Sequence, residues 1–340
     1  MEEEGTMSNS ANTAKTARKP RRLFAGYGVV FMVLIAVFVI MTIINKNFMT
    51  YNNIYNLARS TAVYGIVALA MTFVIVTGGI DLSVGTHVGL AGMVTTLLTV
   101  QAGWNIFAAI LVALVACAAA GLINGILIYD GKLPPFIATM GMMTIVRAFI
   151  LLISGARNIS GLPKAFTDFA KLTIGFPGVD QYGNPITYGV PVMALVWIIL
   201  IVISWLVFRY TIFGRNVFAC GSNVDAARLS GISVRKTTYG VYLLSGIFCG
   251  IGGILLTSRL SSGIPTLGDG YELDAIAASV IGGASMSGGE GYIGGTVVGS
   301  ILIATIGNVG TLLGLNSNYT DIIIGLLIVV SVLIDRFKRK

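Results

Sequence analysis

Runs of about twenty apolar residues alternate with short polar breaks along this chain of 340 residues. A helix needs about 20 mostly apolar residues to cross a bilayer. By that rule the pattern yields ten segments, at 24–45, 58–77, 83–101, 105–128, 134–153, 189–209, 237–257, 271–288, 292–313 and 319–335. The prediction is an all-α integral membrane protein of about ten transmembrane helices, forming one transmembrane domain over 23–337. The eighth segment is the weakest, because it opens with Glu272 and Asp274. Five segments in each half suggest an internal repeat.

Two breaks fall inside the apolar pattern. In VTGGIDLSVGTHVGLAG (76–92), Gly78 and Gly79 predict a broken helix over 77–85, and Ser83 can start the next helix. A carboxylate at membrane depth must face a cavity or a polar partner, and discontinuous helices often line transport sites. Asp81 therefore has two readings, a cap on the third segment or an element of the translocation pathway, and one residue can be both. The stretch GDGYELDAIAASVIGGASMSGGEG (268–291) has a comparable make-up in the second half. There Glu272 and Asp274 can simply hold a helix N-terminus.

Charge then orients the chain. Residues are 55% hydrophobic and only 11% charged, against about 25% charged in soluble domains. A net charge of +8 would suggest nucleic acid in a soluble protein, but the positive-inside rule accounts for it here. With ten spans and the N-terminus inside, 15 Lys and Arg residues fall on the cytoplasmic side and 5 outside. Both termini are then cytoplasmic. Residues 1–22 read as a disordered basic cytoplasmic tail, and 154–188 as a long external loop that either rests on the outer mouth, meets an external partner or is decoration.

The same orientation puts RYTIFGRNVFACGSNVDAARLSGISVRK (209–236) in the cytoplasm, with five positive charges and one carboxylate. A short helix is expected over 222–231. Ser222 or Asn223 can cap it, Asp225 complements its dipole, and Gly231 can stop it in a left-handed conformation. Ala226 and Leu229 give it a small apolar face. Such an element is either a solvated loop or a docking surface for a soluble partner.

Individual residues add less. His87 is the sole histidine and reads more readily as a satisfied packing residue than as a proton relay. Arg147 should pair internally or snorkel. Cys117, Cys220 and Cys249 have no metal-ligand spacing and read as small apolar fillers. Forty-three glycines, some in pairs such as Gly121/Gly125 and Gly246/Gly250, suit close helix approach. Pro134 and Pro135 mark a helix start. Phe136, Thr139 and Asn308 can meet a polar solute, though each alone reads as packing. GxxxxGK[ST], HExxH and GxSxG are all missing, so neither ATP binding nor membrane catalysis is indicated. A transporter without ion-coupling residues should draw its energy from another subunit.

Several long stretches resemble one family. TGGIDLSVG (77–85), KLPPFIATMGMMTIVRA (132–148), GRNVFACGSNVDAARLSGISV (214–234), GYELDAIAASVIGGASMSGGEG (270–291) and GLNSNYTDIIIGLLIVVSVLID (314–335) resemble the permeases of bacterial ABC sugar importers of the ribose/xylose/arabinose/galactose group. IDLSVG, FIAT, RLSGI and YELDAIAA lean toward its ribose-type members.

The resemblance implies a multi-pass subunit of the cytoplasmic (inner) membrane that is not itself an enzyme and binds no cofactor or metal. It implies a second permease copy, a cytosolic ATPase carrying ATP and Mg, and an extracytoplasmic sugar-binding protein, with no nucleic acid. The coupling element would be Asn223, Asp225, Ala226, Ala227, Leu229, Ser230 and Gly231, and the pathway candidates are Asp81, Ser83, Phe136, Thr139 and Asn308. The tail is longer than the fold requires, and Val224–Asp225 stands where relatives often have a Glu-Ala pair. Permeases for another pentose or hexose, a signalling furanose, a nucleoside or a branched-chain amino acid remain open, as does an ion-coupled secondary transporter.

Overall fold

The computed structural model describes residues 28–179 and 185–338, so the expected tail at 1–22 lies outside the described residues. Each of the ten apolar segments contains helix. Six helices are long and apolar enough to cross a membrane: α2 (Tyr51–Val76), α4 (Ile106–Tyr129), α5 (Pro135–Ser154), α7 (Val192–Tyr210), α10 (Val234–Leu260) and α12 (Ile293–Leu312). α1 (Gly28–Ile44) and α13 (Ser317–Lys338) are apolar over shorter windows. α3 (Val84–Thr96) runs into a π-helical turn at Leu97–Gln101, and α11 (Tyr271–Ile281) covers only the first part of the eighth segment. Asn105 accepts from the Phe107 amide at 2.9 Å to cap α4, and α5 starts at Pro135, where a missing N–H costs nothing.

α2 is the spine of the bundle, with an unbroken buried run from Gly65 to Val76. α10 lies against α2, α3 and α4, while α11 and α12 pack on α2 as well and α13 packs on α11 and α12. Lipid gives apolar helices no hydrophobic drive to associate, so close packing and interhelical hydrogen bonds hold them. At the α4–α10 crossing Gly121 lies on the Tyr242 carbonyl and Gly246 on the Cys117 carbonyl, with no room for a Cβ at either. On the opposite side Thr72 hydrogen-bonds Thr296 at 2.7 Å and Ser279 at 3.0 Å, tying α2 to α12 and α11.

The all-α expectation needs one correction. β1 (Ile159–Ser160) pairs with β4 (Ser262–Gly263), and β2 (Thr173–Val179) forms an antiparallel hairpin with β3 (Pro185–Pro191). Gly175 opposite Gly189 lets the hairpin's backbones close up. The segment between α5 and α7 is packed rather than decorative. α6 (Lys164–Phe169) buries Phe166, Ser258 donates to the Phe166 carbonyl at 2.5 Å, and the Tyr51 hydroxyl takes the Gly189 amide at 3.0 Å.

Candidate functional site

The stretch between α7 and α10 folds into two short helices. Thr211 accepts from the Gly214 amide at 3.0 Å and so starts α8 (Ile212–Ser222). Asn223, extended at φ −163 and ψ 110, ends α8 and caps α9 (Val224–Leu229), accepting from the Ala226 amide at 2.9 Å. The cap is thus Asn223, and Ser222 belongs to the helix before it. α9 ends in a Schellman motif: Ile232 N–H donates to the Ala227 carbonyl and Gly231 N–H to that of Arg228, both at 3.0 Å, with Gly231 at φ +79. Asp225 lies 3.7 Å from Arg228 one turn on.

This geometry sorts the expected coupling residues. Leu229 is 90% exposed, and Ala226, Asp225 and Ser230 are exposed around it. Ala227 differs from expectation. It is buried with Cys220 and Val234 against Tyr129 and Ile232, so it anchors α9 and cannot face a partner. Burial also pushes the Cys220 thiol above its ordinary range. A clasp beside α9 fixes the start of α10. Asp130, just after α4, takes hydrogen bonds from Tyr239 and, at 2.9 Å, from Arg235. The Tyr239 hydroxyl is the main reason its carboxyl is held below the usual range, with Arg235 adding to it.

The broken helix is real and touches this element. α2 ends in a second Schellman motif, with Gly78 N–H on the Ile75 carbonyl (2.8 Å), Gly79 N–H on that of Val74 (3.1 Å) and Gly78 at φ +80. Gly79 passes beneath the Tyr242 hydroxyl, where a Cβ would collide. Gly289 N–H donates to the Val76 carbonyl at 2.8 Å. Gly221, at the end of α8, lies against that same carbonyl and the Gly289 amide, and Gly288 against the Gly221 carbonyl and Gly78. The break, the end of α8 and the turn after α11 therefore meet backbone to backbone.

Asp81 follows the break and is fully buried. Its Oδ1 accepts from Ser83 N at 3.0 Å and Ser83 Oγ at 2.5 Å, and its Oδ2 from Ser245 Oγ at 2.8 Å. Asn124 donates to Ser83 Oγ at 2.9 Å, and Tyr242 to the Ile80 carbonyl at 3.3 Å. Thr139 hydrogen-bonds the Pro135 carbonyl at 2.8 Å and reaches the Ile80 carbonyl at 3.4 Å. Asp81, Ser83 and Thr139 thus share one buried knot. Phe136, half exposed, lies on the surface of α5 near it. Asn308 does not join them: it exchanges amide hydrogen bonds of 2.7 and 3.0 Å with Asn53, at the opposite end of α2.

Sequence reasoning missed Asn124, Tyr242 and Ser245. A lone Asn in the apolar helix 106–129 was the available signal, since polar groups there need partners. His87 also differs from the expected satisfied residue. It is fully buried, and neither ring nitrogen has a partner among the described residues. Arg147 pairs as expected, with Asp269 and, at 2.5 Å, with the Pro265 carbonyl. No group of three or more His, Cys, Asp or Glu residues that could hold a metal ion occurs among the described residues.

The family described as branched-chain amino acid transport system / permease component matches residues 53–332. The chain belongs to this family. The ribose import permease protein RbsC of Bacillus subtilis is 40% identical over 308 residues, covering 91% of this chain and 92% of the relative. RbsC of Escherichia coli K12 is 39% identical over 311 residues, with 92% and 93% covered. The galactose/methyl galactoside import permease protein MglC of Salmonella typhimurium is 36% identical over 325 residues, with 92% and 94% covered. No solved structure matches the chain. As a permease component the chain is a multi-pass membrane transport subunit and not an enzyme.

Proposed function

We infer that this chain is the membrane permease of an ATP-binding-cassette importer for a monosaccharide, with ribose the leading substrate. The observation that carries the reading is its 40% identity to a ribose import permease across 91% of its length. In this reading the chain crosses the cytoplasmic membrane ten times with both termini inside, its halves form an internal repeat, and two copies enclose the pathway. A cytosolic ATPase, which binds ATP and Mg, docks on α9 through Ala226, Leu229 and Asp225. The exposure of Leu229 on a short, capped and anchored helix supports that assignment, because a large apolar side chain held in water on a fixed element suits a contact surface. A sugar-binding protein delivers substrate at the outer face.

The Asp81 knot favours a structural role over a solute contact. All its donors come from the protein and its carboxylate is wholly enclosed. The test is uptake into liposomes holding the permease with a cognate ATPase and binding protein. ATP-dependent accumulation of D-ribose is expected only with all three present. Uptake by this chain alone would identify a secondary transporter and overturn the reading, and a binding protein specific for an amino acid would move the substrate to another class.

A further inference from the structure

At the end of the bundle away from α9, the helices α2, α11, α12 and α13 line a half-open cavity of about 240 Å³. Tyr64, Asp274, Thr311, Ser317, Thr320 and Asp321 supply its polar lining, and Ile303 and Leu315 line part of the rest. Tyr64 precedes the α2 break at Val76 by three turns, about 18 Å along the helix, so this cavity is separate from the Asp81 knot.

Its two carboxylates differ in exposure: Asp274 is half-buried, and Asp321 is exposed at the rim. Among the described residues neither Asp274 nor Asp321 takes a hydrogen bond from a side chain or forms an ion pair. The two face one cavity, and each lies within a helix that packs in the apolar bundle. The neighbouring cation is engaged elsewhere: Arg259 donates to Ser60 at 3.0 Å. The half-buried Asp274 is stabilised by donors or a cation entering the cavity, and Asp321 offers a second acceptor at its rim.

Size and lining favour donors. A bare cation occupies roughly the 30 Å³ share of one water, a small part of this space. The volume falls just below the about 300–1,000 Å³ of drug-sized sites, the scale of one sugar ring. Tyr64 is braced by Tyr271, with ring centroids 4.9 Å apart, and gives a flat wall for a carbon face. The hydroxyls of Thr311, Ser317 and Thr320 both donate and accept.

We propose that this cavity is a binding station for a single neutral sugar ring, whose hydroxyl groups donate to Asp274 and Asp321 while its carbon face lies on Tyr64. The assignment rests on the sugar-permease reading and adds to it a site within the permease itself. A station on a transport route must release its ligand readily, so weak binding is expected.

The test uses the full chain in complex with its ATPase. Ser317→Cys places a thiol at the cavity, while Cys117, Cys220 and Cys249 are buried and should label slowly. Saturating D-ribose or D-galactose should slow maleimide labelling at residue 317 at least about fivefold. Adding Asp274→Asn or Asp321→Asn should weaken that protection about tenfold, the effect of one lost charged hydrogen bond, with labelling in the absence of sugar unchanged. Thr320→Val, a milder change, should weaken protection in the same direction.

Parallel uptake by the complex without these substitutions separates the possible failures. If it transports a sugar that gives no protection, the station is wrong and the function stands. If it transports no monosaccharide, the sugar reading falls and the station with it. Protection by Na⁺ or Ca²⁺ in place of sugar would make this a cation site and overturn the proposal.

Discussion

At the residue scale, α9 separates side chains that hold the fold from those that face outward. Leu229 is almost wholly exposed and Ala227 is buried two residues away, so one short helix offers an internal control. Leu229→Arg should leave the permease's yield and elution unchanged while abolishing co-purification of the ATPase and ATP-driven uptake. Ala227→Leu should instead lower the permease's own thermal stability, by about 1–3 kcal/mol for overfilling a packed site. If Leu229→Arg retains ATPase and uptake, α9 is not the docking surface. Asp81 is buried and hydrogen-bonded to Ser83 and Ser245. Asp81→Ala strands the donors on Ser83 and Ser245, each costing about 1–3 kcal/mol once buried and unpaired, and the expected outcome is a large fall in folded yield in a detergent-stability assay.

At the element scale, hydropathy located the helices because lipid selects for long apolar runs whatever their neighbours. It located ends less well where a glycine stops a helix inside an apolar run. α11 stops at Ile281 in a Schellman motif, with the Gly283 N–H on the Val280 carbonyl and the Ala284 N–H on that of Ser279, both at 2.9 Å, and Gly283 at φ +94, while the apolar pattern runs on to 288. The β2–β3 hairpin was hidden because its alternating Ile174 and Phe176 are interleaved with Gly175, Pro177 and Gly178, a composition that reads as loop. The caps were legible, since Asn223, Gly231, Gly78 and Pro135 act through local backbone chemistry. The Asp130 clasp was not, because its partners Arg235 and Tyr239 lie over a hundred residues away. Its pH dependence has a definite sign. The folded-state value is depressed, so its stabilisation is fully present above the ordinary carboxylate value of about 3.9 and is lost as pH falls through the lower folded value. Thermal melts of wild type and Asp130→Asn should therefore differ at neutral pH and converge in strong acid. A difference that persists there would mean that Asp130 acts through something other than its charge.

At the scale of the whole molecule, the question is how an event beneath α9 reaches the helices that bound the pathway. Three turns supply a contiguous route. The end of α8 at Gly221, the end of α2 at Val76 and the turn after α11 at Gly288 and Gly289 touch through backbone atoms, with the Gly289–Val76 hydrogen bond of 2.8 Å between two of them. Backbone contacts of this kind have no soft side chain to absorb a displacement, and packed interfaces switch between discrete arrangements more readily than they deform. A shift of α8–α9 would therefore bear on both α2 and the α11–α12 turn, the two elements that frame the bundle's spine. Spatial contact alone does not establish coupling, so the route is tested by altering it without altering docking. Gly221→Ala places a methyl group against the Val76 carbonyl and the Gly289 amide while leaving the exposed face of α9 untouched. The expected outcome is an importer that still binds its ATPase and still hydrolyses ATP, but whose hydrolysis no longer responds to the loaded binding protein and whose uptake falls at least about tenfold, equivalent to about 1.4 kcal/mol of coupling. Full uptake with normal stimulation in this variant would mean that the signal leaves α9 by another path, of which the α9–α10 connection through Ile232 and Ser233 is the nearest.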